Sequence, residues 1–277
     1  MRFKARLESS GVRTLLAVVT SVDKLGSEAV VHLSPRALEV RRVADGECAV
    51  QAYCSVSADL FSEWRIESKA DNCISLLLGL QNLQRALRSA DGCEEVVLKL
   101  ASRDKVPCLS VEAEALTGLQ IQQDVPIKRL ITKDGLENWR EPAVPGLPLA
   151  TSGVPSPRSL RTVLERMRSL DSKVIVEFNA ERDTAVFKVQ TEVVCMRTFF
   201  QGVGVELSER GRKRRKAVVV VSIADLLSAL HFGSSEFDKA VFAVLEGSSL
   251  VLYVTLGESQ ATMTFYCPLV DLNDMEE

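Results

Sequence analysis

Along most of this chain apolar and polar residues alternate one by one. In RFKARLE, Phe3, Ala5 and Leu7 fall on one side and Arg2, Lys4, Arg6 and Glu8 on the other, the period of a half-buried β-strand. The same alternation, or a short apolar run, predicts strands over about 28–33, 37–43, 49–56, 74–79, 95–101, 107–115, 173–178, 185–200, 217–222, 240–246, 249–256 and 261–267. Four segments switch to the helical period, over about 10–24, 80–90, 157–170 and 223–231. Many short strands with few helices argue for antiparallel, hairpin-connected sheets in an α+β fold.

The third helix shows what the polar faces carry. Ser156 suits the N-cap and Pro157 the first helical position, where a missing N–H leaves no bond unmade. Leu160, Val163, Leu164, Met167 and Leu170 form the predicted buried stripe, with Arg158, Arg161 and Arg168 opposite and Arg166 on a different flank. Taken alone this is a solvated face with an Arg161–Glu165 ion pair. The pattern recurs, however. In the first helix Arg13, Ala17, Thr20 and Lys24 lie opposite Val12, Leu15, Leu16, Val19 and Val22; in the second Gln81, Arg85 and Arg88 lie opposite Leu80, Leu83, Leu87 and Ala90. The fourth offers Ala224, Ser228 and His231 and no fixed cation. On a chain of net charge −3 this is a concentrated positive surface, suited to a phosphate backbone and not to base readout.

The chain also repeats itself. VRTLLAVVTSVD from Val12 aligns with LRTVLERMRSLD from Leu160, and GLQNLQRAL from Gly79 with SIADLLSAL from Ser222. Most of the nine prolines crowd between Lys128 and Pro157, which breaks regular structure and reads as a linker followed by an extended strand. The predicted organisation is two similar domains, 1–127 and 146–277, joined by a connecting loop 128–145. Each domain is expected to hold two βαβββ units.

Composition narrows the chemistry. With 46% hydrophobic residues the 277-residue chain can build full cores, and it lacks the apolar h-region of a secretory leader or a run long enough for a membrane span. Seven scattered cysteines without a C-x-x-C pair read as reduced thiols, and His32 and His231 alone leave little material for a metal cluster or a histidine-based dyad. No phosphate-loop, dinucleotide, zinc-protease or nucleophile-elbow motif is present, so no cofactor, metal or catalytic residue is expected. SERGRKRRKA, from Ser208 to Ala217, is strongly basic and leaves three readings open: a nuclear-import signal, a further DNA contact, or a solvated loop.

Two halves of βαβββ units with cationic helices resemble the sliding clamps typified by proliferating cell nuclear antigen. Within that superfamily the chain resembles the Hus subunit of the heterotrimeric DNA-damage checkpoint clamp, the nine-one-one complex. The matching segments are MRFKARLE, VPCLSVEAEAL from Val106, QDVPIKRL from Gln123, EPAVP from Glu141, LRTVLERM from Leu160, QTEVVCMRTFF from Gln190 and FYCP from Phe265. The resemblance implies outer antiparallel sheets and inner helices in a ring around duplex DNA, built with two non-identical clamp subunits, placed by a clamp loader and serving checkpoint and repair proteins in the nucleus, with cytoplasm a further location. Carried over by position, the DNA-facing residues are Arg13, Lys24, Arg85, Arg88, Arg158, Arg161 and Arg168. The subunit-interface edge strands are Val106–Glu114 (Val106, Cys108, Ser110, Glu112) and Glu192–Phe200 (Val194, Met196, Thr198), and a partner-peptide groove is expected near Leu130, Ile131, Pro268 and Leu269. Two alternatives stand beside this reading: a self-assembling homotrimeric replicative clamp, and an enzyme of unrecognised type with a cleft between the halves.

Overall fold

Alternation and turn chemistry set the strands. The computed structural model of the chain describes residues 1–270 apart from 47, 116, 145 and 235, with residues 212–214 and 234 described by their backbone alone. The first half runs β1 (Arg2–Glu8), α1 (Ser9–Asp23), β2 (Glu28–Leu33), β3 (Ala37–Arg42), β4 (Gln51–Ser57), β5 (Glu63–Glu67), β6 (Ile74–Gly79), α2 (Leu80–Ala90), β7 (Glu95–Arg103), β8 (Val106–Glu114) and β9 (Gln120–Leu130). After the single turn α3 (Lys133–Leu136) the second half runs β10 (Ala150–Gly153), α4 (Pro157–Met167), β11 (Lys173–Asn179), β12 (Thr184–Gln190), β13 (Cys195–Gln201), β14 (Glu206–Leu207) and α5 (Glu209–Arg214). It closes with β15 (Lys216–Ser222), α6 (Ile223–Ala229), a 3₁₀ turn Leu230–Ser234, β16 (Lys239–Leu245), β17 (Ser249–Leu256) and β18 (Ala261–Pro268).

The internal repeat is visible in the pairing. α1 and α4 start 148 positions apart and α2 and α6 start 143 apart, the offsets at which the sequence matches itself. Each half has one strand more than the βαβββ pattern predicts. These extra strands, β5 and β14, are equivalent: each hydrogen-bonds antiparallel to the first strand of its half, β5 to β1 and β14 to β10.

The chain forms two compact units. The first holds Met1–Val43, Ala52–Glu141 and Thr255–Met263; the second holds Ala44–Gln51, Pro142–Val254 and the chain from Thr264. In the first, strands order as β4-β3-β2-β6-β9-β8-β7-β1-β5, every described pair antiparallel. Asp104 and Lys105 both take positive φ, the geometry of a tight I′ hairpin turn, which sets Arg103 opposite Val106 and fixes the β7–β8 register. α1 and α2 run antiparallel beside each other, because Thr20 accepts from Gln84 at 2.9 Å while Arg13, further back along α1, meets Asp91 beyond the end of α2. Leu7, Val12, Leu15, Val18, Leu83 and Leu87 fill the core beneath them.

The second unit has a four-stranded sheet β13-β12-β11-β15 and the strand run β14-β10-β16-β17-β18, with α4 packed against α6 and the 3₁₀ turn. Phe178 and Phe242 meet in its core, ring centroids 6.2 Å apart. Gly233 admits no side chain: a Cβ there would lie 2.4 Å from Cβ of Pro157, so the 3₁₀ turn presses directly on the first turn of α4.

Several expectations need correction. β9 and β10 lie where the sequence reading placed no strand or only a linker, and the expected strand 185–200 is a hairpin, β12 and β13, turned at Thr191–Val194. α4 ends at Met167 and not at residue 170. Leu170 is therefore exposed and the buried stripe reduces to Leu160, Leu164 and Met167. Ser156 occupies the N-cap position but its side chain caps no backbone N–H, whereas Ser222 accepts from Asp225 N–H at the start of α6.

Candidate nucleic-acid and partner interfaces

The helices present cations because their opposite stripes are consumed by the core. In the first unit Arg13, Lys24, Arg85 and Arg88 are all exposed on the α1–α2 pair. Arg13 leans on Ser9 Oγ at 3.4 Å and lies 3.9 Å from Asp91. Among the described residues, no acidic side chain forms an ion pair with Lys24, Arg85 or Arg88; Asp23 exerts only a longer-range attraction on Lys24 and Arg88. Burial pushes the Asp23 carboxyl above its ordinary range, and its Oδ1 has no hydrogen-bond partner.

In the second unit Arg158 and Arg168 are exposed and form no ion pair among the described residues, as is true of Arg166, which the sequence reading set on another flank. Arg161 differs. Its Nη1 donates to Nδ1 of His231 at 3.0 Å and its Nη2 lies 3.9 Å from Glu165, leaving the side chain 28% exposed. Of the seven expected DNA-facing cations, Arg161 is hydrogen-bonded to a second element of its unit, whereas Arg13 reaches one through the 3.9 Å ion pair with Asp91.

The sheet side of the first unit is charged in another way. Glu63 accepts from Lys4 and Arg6, which holds its carboxyl below the ordinary range; Arg6 also meets Glu95, Lys99 meets Glu112, and Arg103 meets Asp124. Many charges there are neutralised in pairs, while Lys24, Arg85 and Arg88 form no ion pair among the described residues, so the helix side carries the stronger positive field.

Strand edges come next. β8 carries Val106, Cys108, Ser110 and Glu112, expected at an edge, but it is paired on both sides: to β7 along Arg103–Glu95 and to β9 along Pro126–Gln120. From Cys108 to Glu114 it is flanked by a strand on each side, because the chain continues into one more strand than the sequence reading allowed. The described pairings leave an open side on β9 instead, where Gln120–Val125 bond β8 alone and β6 joins only at Ile127, Arg129 and Leu130. Pro126, which has no N–H to give, sits on this strand, and the alternation of Ile121, Gln123, Val125 and Ile127 with polar neighbours was the available signal. β13, by contrast, is an edge: its described partner is β12 alone, and it carries Met196 and Thr198, with Val194 just before it. Phe199 on this strand is 59% exposed, Val193 beside it 91%.

A small groove lies wholly within the second unit, about 220 Å³ in volume. Pro142, Ala143, Val144, Ala49, Pro268 and buried Leu245, Ser249 and Tyr266 are among its ten lining residues, none of which is charged. Of the residues expected at a peptide groove, Pro268 lines it. Leu269 instead bridges Val221, and Leu130 and Ile131 belong to the first unit. The wall at Ala49 is held by Asp225, whose carboxylate accepts from the Ala49 N–H and, at 3.9 Å, from the Cys48 thiol; burial nevertheless leaves the carboxyl raised. Ala49 and Ser249 both open predicted strands, and sequence reasoning missed them because nothing in the order of residues shows that the two strand ends share a groove.

The basic stretch from Ser208 folds as α5 with Arg215 beyond it at positive φ, and the side chains of 212–214 lie outside the described residues. His32 is a buried structural histidine, its Nδ1 2.8 Å from Ser75 Oγ and its pKa lowered by burial. None of the seven cysteines is in a disulfide among the described residues, and four of them are buried.

Comparison with known proteins bears on the whole chain. A family model described as Hus1-like protein matches residues 1–271. A checkpoint protein hus1 homolog of Dictyostelium discoideum is 26% identical over 99% of this chain and all of its own length. Checkpoint protein HUS1 of Homo sapiens is 27% identical over 74% of this chain and 75% of its own, and checkpoint protein hus1 of Schizosaccharomyces pombe 24% over 96% and 98%.

Proposed function

The chain belongs to the Hus1-like family, and from that premise we propose that it is a non-enzymatic subunit of a ring of three different chains that encircles duplex DNA and carries checkpoint and repair proteins. The observation that carries this reading is that the helices of each unit, α1 and α2 in the first and α4 in the second, expose cations most of which form no ion pair among the described residues, whereas many sheet charges of the first unit are paired. Many weak phosphate contacts without base readout hold a duplex and let it slide. Arg13, Lys24, Arg85, Arg88, Arg158 and Arg168 make those contacts, with Arg166 added and Arg161 acting mainly as a brace.

Each half supplies an edge for a neighbouring subunit: β9 at Gln120–Val125 and β13 at Val194–Phe199. An open edge offers unpaired N–H and C=O groups in register, the template for strand addition. The groove at Pro268 and Val144 receives peptide segments of client proteins. A clamp loader opens and closes the ring, and the chain works in the nucleus.

Solution mass tests the assembly. The purified chain is expected to be a monomer alone and to enter a ring of three different chains when co-expressed with two non-identical clamp subunits. A trimer of this chain alone would reassign it as a self-assembling clamp.

A further inference from the structure

The four-stranded sheet of the second unit carries charge on one face that the fold does not balance. Along β11, Val174, Val176 and Phe178 turn into the core, which leaves Lys173, Ile175 and Glu177 on the other face. Strand register carries that face across the sheet: one row runs Val218, Glu177, Val186, Phe199, and the next runs Val220, Ile175, Lys188, Arg197. Lys188 on β12 and Arg197 on β13 are therefore directly opposite each other, and like charges so placed repel. Neither forms an ion pair among the described residues. Glu177, the carboxylate of the neighbouring row, is engaged by Lys216 at 3.2 Å.

An apolar strip lies beside these cations. Phe199 stands opposite Val186, and Ile175 is diagonal to both Val186 and Val218. Val218 is 42% exposed, and Ile175 and Val186 are half-buried. Apolar residues gathered on an open face with a charged rim mark an interaction surface. Charge and apolar surface together choose the occupant. A phosphate backbone would use the cations alone and leave the apolar strip unserved, whereas an acidic peptide carrying one apolar side chain uses both.

We propose that this sheet face binds an acidic segment of a partner protein, with carboxylates on Lys188 and Arg197 and one apolar side chain over Ile175, Val186 and Val218. Binding relieves the repulsion that the free chain carries between Lys188 and Arg197. The site is separate from the groove at Pro268, whose lining shares none of these residues. It is also compatible with the β13 contact: a strand added to that edge extends the sheet sideways and leaves the face over β11 and β12 open.

The probe is the peptide Asp-Glu-Phe-Asp-Glu, acetylated and amidated at its ends, titrated into the full-length ¹⁵N-labelled chain. Saturable amide shifts are expected at Ile175, Val186, Lys188 and Val218. Affinity should fall roughly tenfold when alanine replaces the phenylalanine, and Lys-Lys-Phe-Lys-Lys should give no shifts there. Lys188→Glu sets a carboxylate opposite Arg197, so its thermal midpoint should rise while its affinity for the acidic peptide falls about tenfold. Equal affinity in the parent and in Lys188→Glu overturns the proposal, as does the absence of saturable shifts in the parent. Shifts confined to β13 would mean strand addition at the edge, and displacement of the peptide from Val186 and Val218 by a short DNA duplex would mean a phosphate site. Either result overturns it as well.

Discussion

Nη1 of Arg161 and Nδ1 of His231 are 3.0 Å apart, so the arginine of α4 is braced against the 3₁₀ turn that follows α6. The guanidinium can only donate, which requires Nδ1 of the histidine to be unprotonated. Arg161→Glu removes this bond and places an acid beside Glu165. It should lower the stability of the chain by about 1–2 kcal/mol, read from denaturant midpoints. An unchanged midpoint would make Arg161 an ordinary surface cation.

Arg158 and Arg168 have no such internal role. Reversing both, Arg158→Glu with Arg168→Glu, should leave folding and assembly intact and weaken retention of duplex DNA by the assembled ring. The slope of log affinity against log salt should fall by roughly 2, about one unit for each phosphate that is no longer neutralised. A slope equal to that of the parent ring removes α4 from the DNA-facing surface.

The β13 edge can be tested without touching a core. Phe199, exposed on that strand, becomes buried if a neighbouring subunit's strand adds there. Phe199→Asp should leave the stability of the isolated chain within about 0.5 kcal/mol while preventing ring assembly. Sedimentation of the co-expressed chains distinguishes the outcomes, and normal assembly would exclude β13 as a contact.

Gly233→Ala puts a methyl group against Pro157, the two Cβ atoms 2.4 Å apart unless one element retreats. A loss of about 1–3 kcal/mol is expected from this overpacking, visible in thermal unfolding of the purified chain. A neutral effect would mean that the 3₁₀ turn is free to shift away from α4.

Asp23 gives the pH prediction. Burial raises its carboxyl pKa in the folded chain, so folding favours the protonated form. The penalty is therefore absent below the ordinary value of 3.8, grows as pH rises through that value to the folded one, and persists above it. Its charge also sits at the last position of α1, where the helix dipole disfavours an anion. Asp23→Asn should stabilise the chain by about 0.3–1 kcal/mol at pH 7, and the gain should vanish at pH 3. A gain that persists at pH 3 would point to shape and not charge.

Much of this architecture was legible in the order of residues. The 3.6-residue period located α1 and α2 to within a residue, because each must bury one stripe and the rest of its surface is free to carry arginine. The period of two located most strands, and the doubling of two helix motifs exposed the repeat. Hidden from it were the properties that arise only when strands meet. Whether Val106–Glu114 is an edge depends on the presence of β9, and β9 was obscured by Pro126 and by the proline-rich text that follows. Whether Arg161 is a solvated cation or a brace depends on His231, 70 residues away. Ser249 reads as an ordinary serine until the chain closes around it and leaves its hydroxyl without a partner. Periodicity records what each segment must hide; tertiary packing decides which backbone edges, charges and hydroxyls are left unserved.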